Sequence, residues 1–273
     1  DLCYNIKSRT IHPKELCGFL VVEKKRGNVM RLDQYLAKAA GLSRSTAKAA
    51  VRQGKVKING SLCKAADTAL SPSDEVMLEG RVLSWKEFVY VMLDKPAGVL
   101  SASKDAKERT VVDLVAKDYP GRALFPAGRL DKQSTGFILL TDDGALAHDL
   151  LSPKKHVEKT YEVVLDTPVT EEMVQGFAQG VTLADGETMK PAQLHMDSER
   201  PCFARVILTQ GVYHQIKRMF GVYGAGVNEL RRTAIGGVVL DKALGEGGFR
   251  ELTQAELSLL KREEAAKSCE KKM

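Results

Sequence analysis

The stretch RLDQYLAKAAGLSRSTAKAAVRQGKVKINGSLCKAADTALSPSDEVML, Arg31 to Leu78, changes its hydrophobic period part-way along. Leu32, Leu36 and Ala39 fall at helical spacing. Gly41 stops that helix, and Ser43 is placed to cap a second one that runs to about Gly54. Lys55-Val56-Lys57-Ile58 then alternates as a strand does and runs into Asn59-Gly60, a pair suited to the left-handed backbone of a tight turn. Glu75 to Leu78 reads as a closing strand. Residues 30–80 therefore form one small domain, and residues 81–87 read as a linker.

The charge of this stretch is as informative as its period. Between Arg31 and Lys64 there are eight basic residues (Arg31, Lys38, Arg44, Lys48, Arg52, Lys55, Lys57, Lys64) and one acid, Asp33, a surplus of seven against six for the whole chain. Arg44, Lys48 and Arg52 recur every fourth residue and share one helical face. A face that serves only solubility usually mixes signs. A cationic row without acids suits a phosphate backbone, where binding releases counterions.

Working outward, residues 1–29 form an extension without sustained periodicity that ends in the basic run Glu23-Lys24-Lys25-Arg26-Gly27. Met30 stands directly before the first helical pattern, and a natural start there is one reading. On the other side a second, larger domain is expected over residues 88–252, opening with an apolar strand from Phe88 to Leu93. Strands at Phe137–Leu140, Tyr161–Leu165, Ala204–Leu208 and Gly237–Leu240 alternate irregularly with helices near 110–117, 143–151, 170–179 and 214–223. This is an α+β pattern on a mixed, largely antiparallel sheet rather than a regular βαβ winding. Residues 253–273 read as a C-terminal helix and a charged tail.

Composition excludes several classes. The protein is 44% hydrophobic and 28% charged, ordinary values for a globular chain. The longest apolar run near the start, Phe19 to Val22, is too short for a membrane span or signal core. The five cysteines (Cys3, Cys17, Cys63, Cys202, Cys269) include no CxxC pair, which speaks against a zinc site or a disulfide framework and for a reducing cytoplasm. No P-loop, dinucleotide fingerprint or metal-ligand spacing is present, so no cofactor and no metal are expected.

Three segments of the larger domain carry candidate chemistry. GRLDKQSTG, Gly128 to Gly136, holds Asp131 on a loop that glycines allow to turn sharply at both ends, with Leu130 packed inward. An Asp on such a loop is usually a turn residue and needs a partner to count as catalytic. EKTYEVVL places Tyr161, Val163 and Leu165 on one strand face. GVYHQIKRMF, Gly211 to Phe220, sets Lys217 and Arg218 among Ile216, Met219 and Phe220. Either cation can snorkel to the surface; one that points inward requires an anion, and Asp131 is the candidate. His148, His156, His195 and His214 are scattered and read as structural or surface residues.

Two resemblances follow. The Arg31–Leu78 stretch resembles the S4 RNA-binding domain through its RLD opening, SRS helix start, GKVKING turn and DEV strand. The three catalytic segments, with LDKPAGVLSA (Leu93 to Ala102), resemble pseudouridine synthases of the RsuA type from Met30 to Leu252. That likeness implies isomerisation of uridine to pseudouridine in ribosomal RNA by a cytoplasmic monomer. It implies Asp131 as the catalytic carboxylate, Tyr161 as the ring stacked on the target base and Lys217 as the cation paired with Asp131. Arg129 would help fill the space left by the flipped nucleotide, and Leu230 would form an apolar wall. Lys95 and Arg218 are expected at the active site or on RNA, and Arg31, Arg44, Lys48, Arg52 and Lys55 on RNA through the small domain. The sequence departs from the family's usual pattern at Gln133, often an acid, and Phe137, often Leu.

SPKKHVEKTY and ETMKPAQL look more like the small-subunit enzyme, so small-subunit RNA or an assembly intermediate of it is the expected partner. A large-subunit uridine is the near alternative. A non-catalytic ribosome-assembly factor is the alternative of another class, but a pure binder has no need of an acid facing phosphates. An N-glycosidase would use similar carboxylate chemistry and would release free uracil.

Overall fold

The small domain forms where its caps and turns put it. A computed structural model of the chain describes residues 30–71, 73–84, 86–152 and 154–261; the N-terminal extension, residues 1–29, and the charged tail after residue 261 lie outside the described residues. Helix α1 (Leu32–Ala39) buries Leu32 and Leu36, and α2 (Arg44–Arg52) begins at Ser43, whose side chain accepts a hydrogen bond from the Thr46 amide. Strands β1 (Val56–Ile58) and β2 (Ser61–Leu62) pair through Asn59 and Gly60, both at positive φ. Strand β3 (Val76–Leu78) lies beside β1. Leu32, Leu36, Ala47, Val51, Val56 and Val76 form its core.

One boundary is corrected. Residues 81–83 are not linker: they form β4 (Arg81–Leu83), antiparallel to β3, because Glu79-Gly80 is a second positive-φ turn that sends the chain back along the sheet. The Tyr35 hydroxyl donates to the Leu83 carbonyl at 2.8 Å, so the domain continues to that point. The chain divides into its two compact units between residues 85 and 86.

The larger unit is built on a mixed sheet. Its strands are β5 (Tyr90–Lys95), β6 (Thr135–Thr141), β7 (Lys159–Leu165), β8 (Gln193–Met196), β9 (Phe203–Leu208), β10 (Val227–Ile235) and β11 (Phe249–Glu251), in the spatial order β8-β9-β7-β10-β6-β5-β11. Every neighbouring pair is antiparallel except β6 with β10. Its helices are α3 (Val111–Val115), α4 (Gly144–Leu151), α5 (Glu171–Gln179) and α6 (Gln215–Gly221), followed by a helix over residues 254–261. Leu257 and Leu260 of that last helix pack on the same core as Phe137 and Leu139, so it is part of this unit. The opening strand starts two residues later than its apolar run, at Tyr90. The expected strand at Gly237–Leu240 is a two-residue edge, Val238–Val239, against the end of β10. The long strand β10 itself is not foreseen by periodicity.

Candidate active site

The parallel junction of β6 and β10 decides where Asp131 stands. Gly136, at φ 97°, lies opposite Arg232, and a Cβ there would come within 2.2 Å of the Arg232 carbonyl oxygen. Only glycine lets the two backbones approach so closely. The chain entering β6 is therefore pinned, and the loop before it is held by hydrogen bonds from the 98–101 segment. The Ser101 hydroxyl donates to Leu130 O at 2.8 Å and accepts from Leu130 N at 3.0 Å. Gly98 N donates to Lys132 O at 2.8 Å.

Lys95 completes that support and corrects an expectation. Rather than contacting RNA, it is fully buried, and its ammonium donates to the carbonyls of Pro96 (2.9 Å), Lys132 (3.0 Å) and Ser134 (2.7 Å). Three carbonyls use all three N–H bonds of a lysine. Burial pushes its pKa down to about 8, while the negative charge of Asp131 pulls the other way.

Asp131 itself opens into a cavity of about 750 Å³ lined by Arg129, Leu130, Tyr161, His214, Leu230 and Arg232, among others. Lys217 Nζ lies 3.4 Å from its Oδ2, and His214 Nε2 lies 3.3 Å from its Oδ1. Lys217 lies in the first turn of α6, and His214 is the residue that caps it, in the left-handed conformation at φ 51°. The expectation of a structural or surface role for His214 is corrected: the geometry brings its ring to the carboxylate. Its ring is stacked on Tyr213, with centroids 3.8 Å apart, and Tyr213 is 71% exposed at the cavity mouth.

The two adjacent cations of α6 have separate tasks. Arg218 turns away from Asp131 and pairs with Asp185 and with Glu187, the latter at 3.2 Å. It is an anchor for the 185–187 loop, not a cavity residue. Tyr161 is 8% exposed on β7, facing the cavity with Leu130 and Leu230, so a flat apolar slot adjoins the carboxylate. Arg129 is exposed at the cavity rim. Among the described residues, no group of three or more His, Cys, Asp or Glu side chains is placed to hold a metal ion.

In the small domain Arg44, Lys48 and Arg52 are exposed on α2, opposite its buried Ala47, Ala50 and Val51. Arg31 pairs with Asp33 at 3.2 Å, Lys48 lies 3.9 Å from the same carboxylate, and Lys55 pairs with Glu79 at 2.7 Å. The Lys55–Glu79 pair is exposed on both sides and exchanges readily for a phosphate, whereas Asp33 is buried and only the cations it meets stand out in solvent.

Comparison with known proteins agrees with this architecture. Residues 89–221 match the RNA pseudouridylate synthase family, and residues 30–76 match the S4 domain. An uncharacterised RNA pseudouridine synthase of Bacillus subtilis is 43% identical over 239 residues, which is 86% of this chain and 100% of the relative. The ribosomal small subunit pseudouridine synthase A of Haemophilus influenzae is 43% identical over 234 residues, 85% of this chain and 99% of the relative. The protein of the same name from Escherichia coli is 38% identical over 231 residues, covering 84% and 99%. A crystal structure of a pseudouridylate synthase superposes with a TM-score of 0.59 at 42% identity, covering 85% of this chain and 99% of the other.

Proposed function

The chain belongs to the RNA pseudouridine synthase family, and we propose that it isomerises one uridine of small-subunit ribosomal RNA with Asp131 as the reacting carboxylate. The observation that carries this reading is the ion-paired Asp131 on a rigid loop, facing a slot walled by Tyr161 and Leu230.

The reaction breaks C1′–N1, turns the uracil and joins C1′ to C5. Its atoms and electrons balance within the substrate. An ionised Asp131 either attacks C1′ or takes the 2′ proton; each route needs the anionic form. Lys217 and His214 hold and orient that carboxylate. Tyr161 offers a flat face to the base, which has left its stack at a cost of roughly a few kcal/mol. Arg129 at the rim is suited to the space that the base vacates. Phosphate contacts from the α2 face of the S4 domain offset part of the flipping cost. The proposed setting is the cytoplasm, where the RNA is made; among the described residues no helix is long and apolar enough to cross a membrane.

The test is to map pseudouridine in ribosomal RNA from cells with the gene, without it, and with Asp131→Asn in its place. One small-subunit uridine should lose its modification in the second and third. A site lost only from large-subunit RNA would overturn the substrate assignment, and free uracil in place of pseudouridine would overturn the isomerisation.

A further inference from the structure

Among the described residues Arg232 is the largest fully buried side chain, at 2% exposure, and it lies on the wall of the Asp131 cavity. On β10, Leu230 and Arg232 are two residues apart and face the same side. Leu230 stands opposite Val163 and Arg232 opposite Tyr161 on the neighbouring β7. Arg232 is therefore the cross-strand neighbour of the residue on whose ring the base is to lie.

Its hydrogen bonding is incomplete. Nε donates to the Phe137 carbonyl at 2.7 Å and fixes the head group, but Nη2 has no hydrogen-bond partner among the described residues. Asp131 is the sole carboxylate among the described residues lining the cavity, and it is engaged by His214 and Lys217. A buried, unanswered donor on a cation is unfavourable, and native proteins retain such groups mainly where something else completes them. A phosphate does not fit the depth: the backbone of a flipped nucleotide stays at the rim, near exposed Arg129 and Lys132. The group that enters deepest is the base.

We propose that Arg232 is a catalytic residue, whose guanidinium donates to a carbonyl oxygen of the flipped uracil and stabilises the negative charge that the base acquires on leaving the sugar. This rests on the reading of the Asp131 cavity as the site of isomerisation. When C1′–N1 breaks, its electron pair remains with the base, giving a uracil anion whose charge spreads to both carbonyl oxygens. C1′ is satisfied by the Asp131 carboxylate as an ester, or by loss of the 2′ proton to that carboxylate. After the base turns, the electron pair at C5 forms the C1′–C5 bond as the C1′–O ester bond breaks and returns its pair to Asp131; on the other route C5 adds to the C1′=C2′ double bond as the 2′ proton is given back to C2′. The C5 proton then leaves to restore the ring. A fixed, water-excluded donor at the developing charge acts as an oxyanion hole does.

The experiment compares wild type, Arg232→Gln and Arg232→Lys in single turnovers on a ribosomal RNA fragment carrying uridine or 5-fluorouridine at the target. Fluorine withdraws electrons, so the departing base needs less help. Cleavage of the N-glycosidic bond should slow by about 100-fold for Arg232→Gln on uridine, but by about tenfold or less on 5-fluorouridine, with Arg232→Lys between wild type and Gln. RNA affinity should be unchanged. Partial misfolding lowers both rates of one preparation equally, so their ratio reports the chemistry even for a weakened variant. Equal slowing on the two substrates would overturn the proposal and assign Arg232 to packing; so would a loss confined to RNA affinity. If wild type forms no pseudouridine on the uridine fragment or on whole small-subunit RNA, the underlying reading has failed, whereas normal wild-type turnover with an unchanged ratio sinks the inference alone.

Discussion

The two units handle positive charge in opposite ways. On α2 of the small domain Arg44, Lys48 and Arg52 stand in solvent, and any of them can meet any phosphate within reach. In the catalytic unit four cations are committed to fixed partners: Lys95 holds three carbonyls, Lys217 the carboxylate, Arg218 the 185–187 loop, and Arg232 the Phe137 carbonyl. Exposed charges act nearly additively, are screened by salt and set affinity. Buried or part-buried ones act through geometry and set rate. The contrast predicts that substitutions in the small domain move binding, and that those near Asp131 move turnover at nearly constant binding.

The largest effect tests the second half of that contrast. Asp131→Asn keeps the shape of the side chain but cannot be anionic, so turnover should vanish while RNA affinity and folding stay near wild type. Measurable tritium release from C5-labelled uridine by this variant would break the assignment. Next comes the division within α6. Lys217→Met should lower kcat about 100-fold, since it leaves the carboxylate with His214 alone. Lys217→Arg should keep part of the rate. Arg218→Met should be nearly silent in kcat; if it is the crippling change, the two roles are exchanged.

Much of this architecture is legible in the sequence, for physical reasons that also mark where legibility ends. The small domain is written in caps and turns, Ser43, Gly41 and Asn59-Gly60, which act locally and need no tertiary context. Helices α3 to α6 follow from apolar spacing in the same way. Strand β10 escapes because its inward positions include Arg232 and its other face presents Arg231, which pairs with buried Asp94 at 2.6 Å. Charged residues at core positions erase the period that marks a strand. Asp131, Tyr161 and the pairing of Lys217 with Asp131 are legible as a resemblance; from residue spacing alone, the choice of Lys217 over Arg218 requires the orientation of α6. Lys95 could not be placed: a lysine in a sequence carries no mark of burial, and its three carbonyl partners lie on segments nearly forty residues apart.

A smaller effect tests the exposed row. Replacing Arg44, Lys48 and Arg52 together by Gln should reduce kcat/KM roughly tenfold at moderate salt while leaving kcat intact, because the lost contacts serve ground and transition states alike. If the row meets three phosphates, the slope of log K against log salt should flatten by about two to three units. Binding titrations at several salt concentrations decide it. An unchanged slope would make the row a solvated face and remove the contrast between the units.

The smallest effect is a pH dependence that the buried cation should impose in two opposite senses. Burial holds the folded pKa of Lys95 near 8, below its value of about 10.4 in an unfolded chain. Below pH 8 both states carry the proton, and the full desolvation cost weighs on the fold. Between pH 8 and about 10.4 the unfolded chain binds more protons at this residue than the folded one, so its contribution to stability rises with pH, by at most about 1.4 kcal/mol per unit. Activity should move the other way over the same range, because a neutral amine has two N–H bonds for three carbonyls and releases part of the loop that carries Asp131. Lys95→Met removes the titrating group. Denaturant unfolding of wild type and variant from pH 7.5 to 10 should therefore diverge in slope, with wild type gaining relative to the variant as pH rises. Parallel curves, or a wild-type kcat that stays flat through pH 9, would show that Lys95 keeps its proton and that its three carbonyls outweigh its burial.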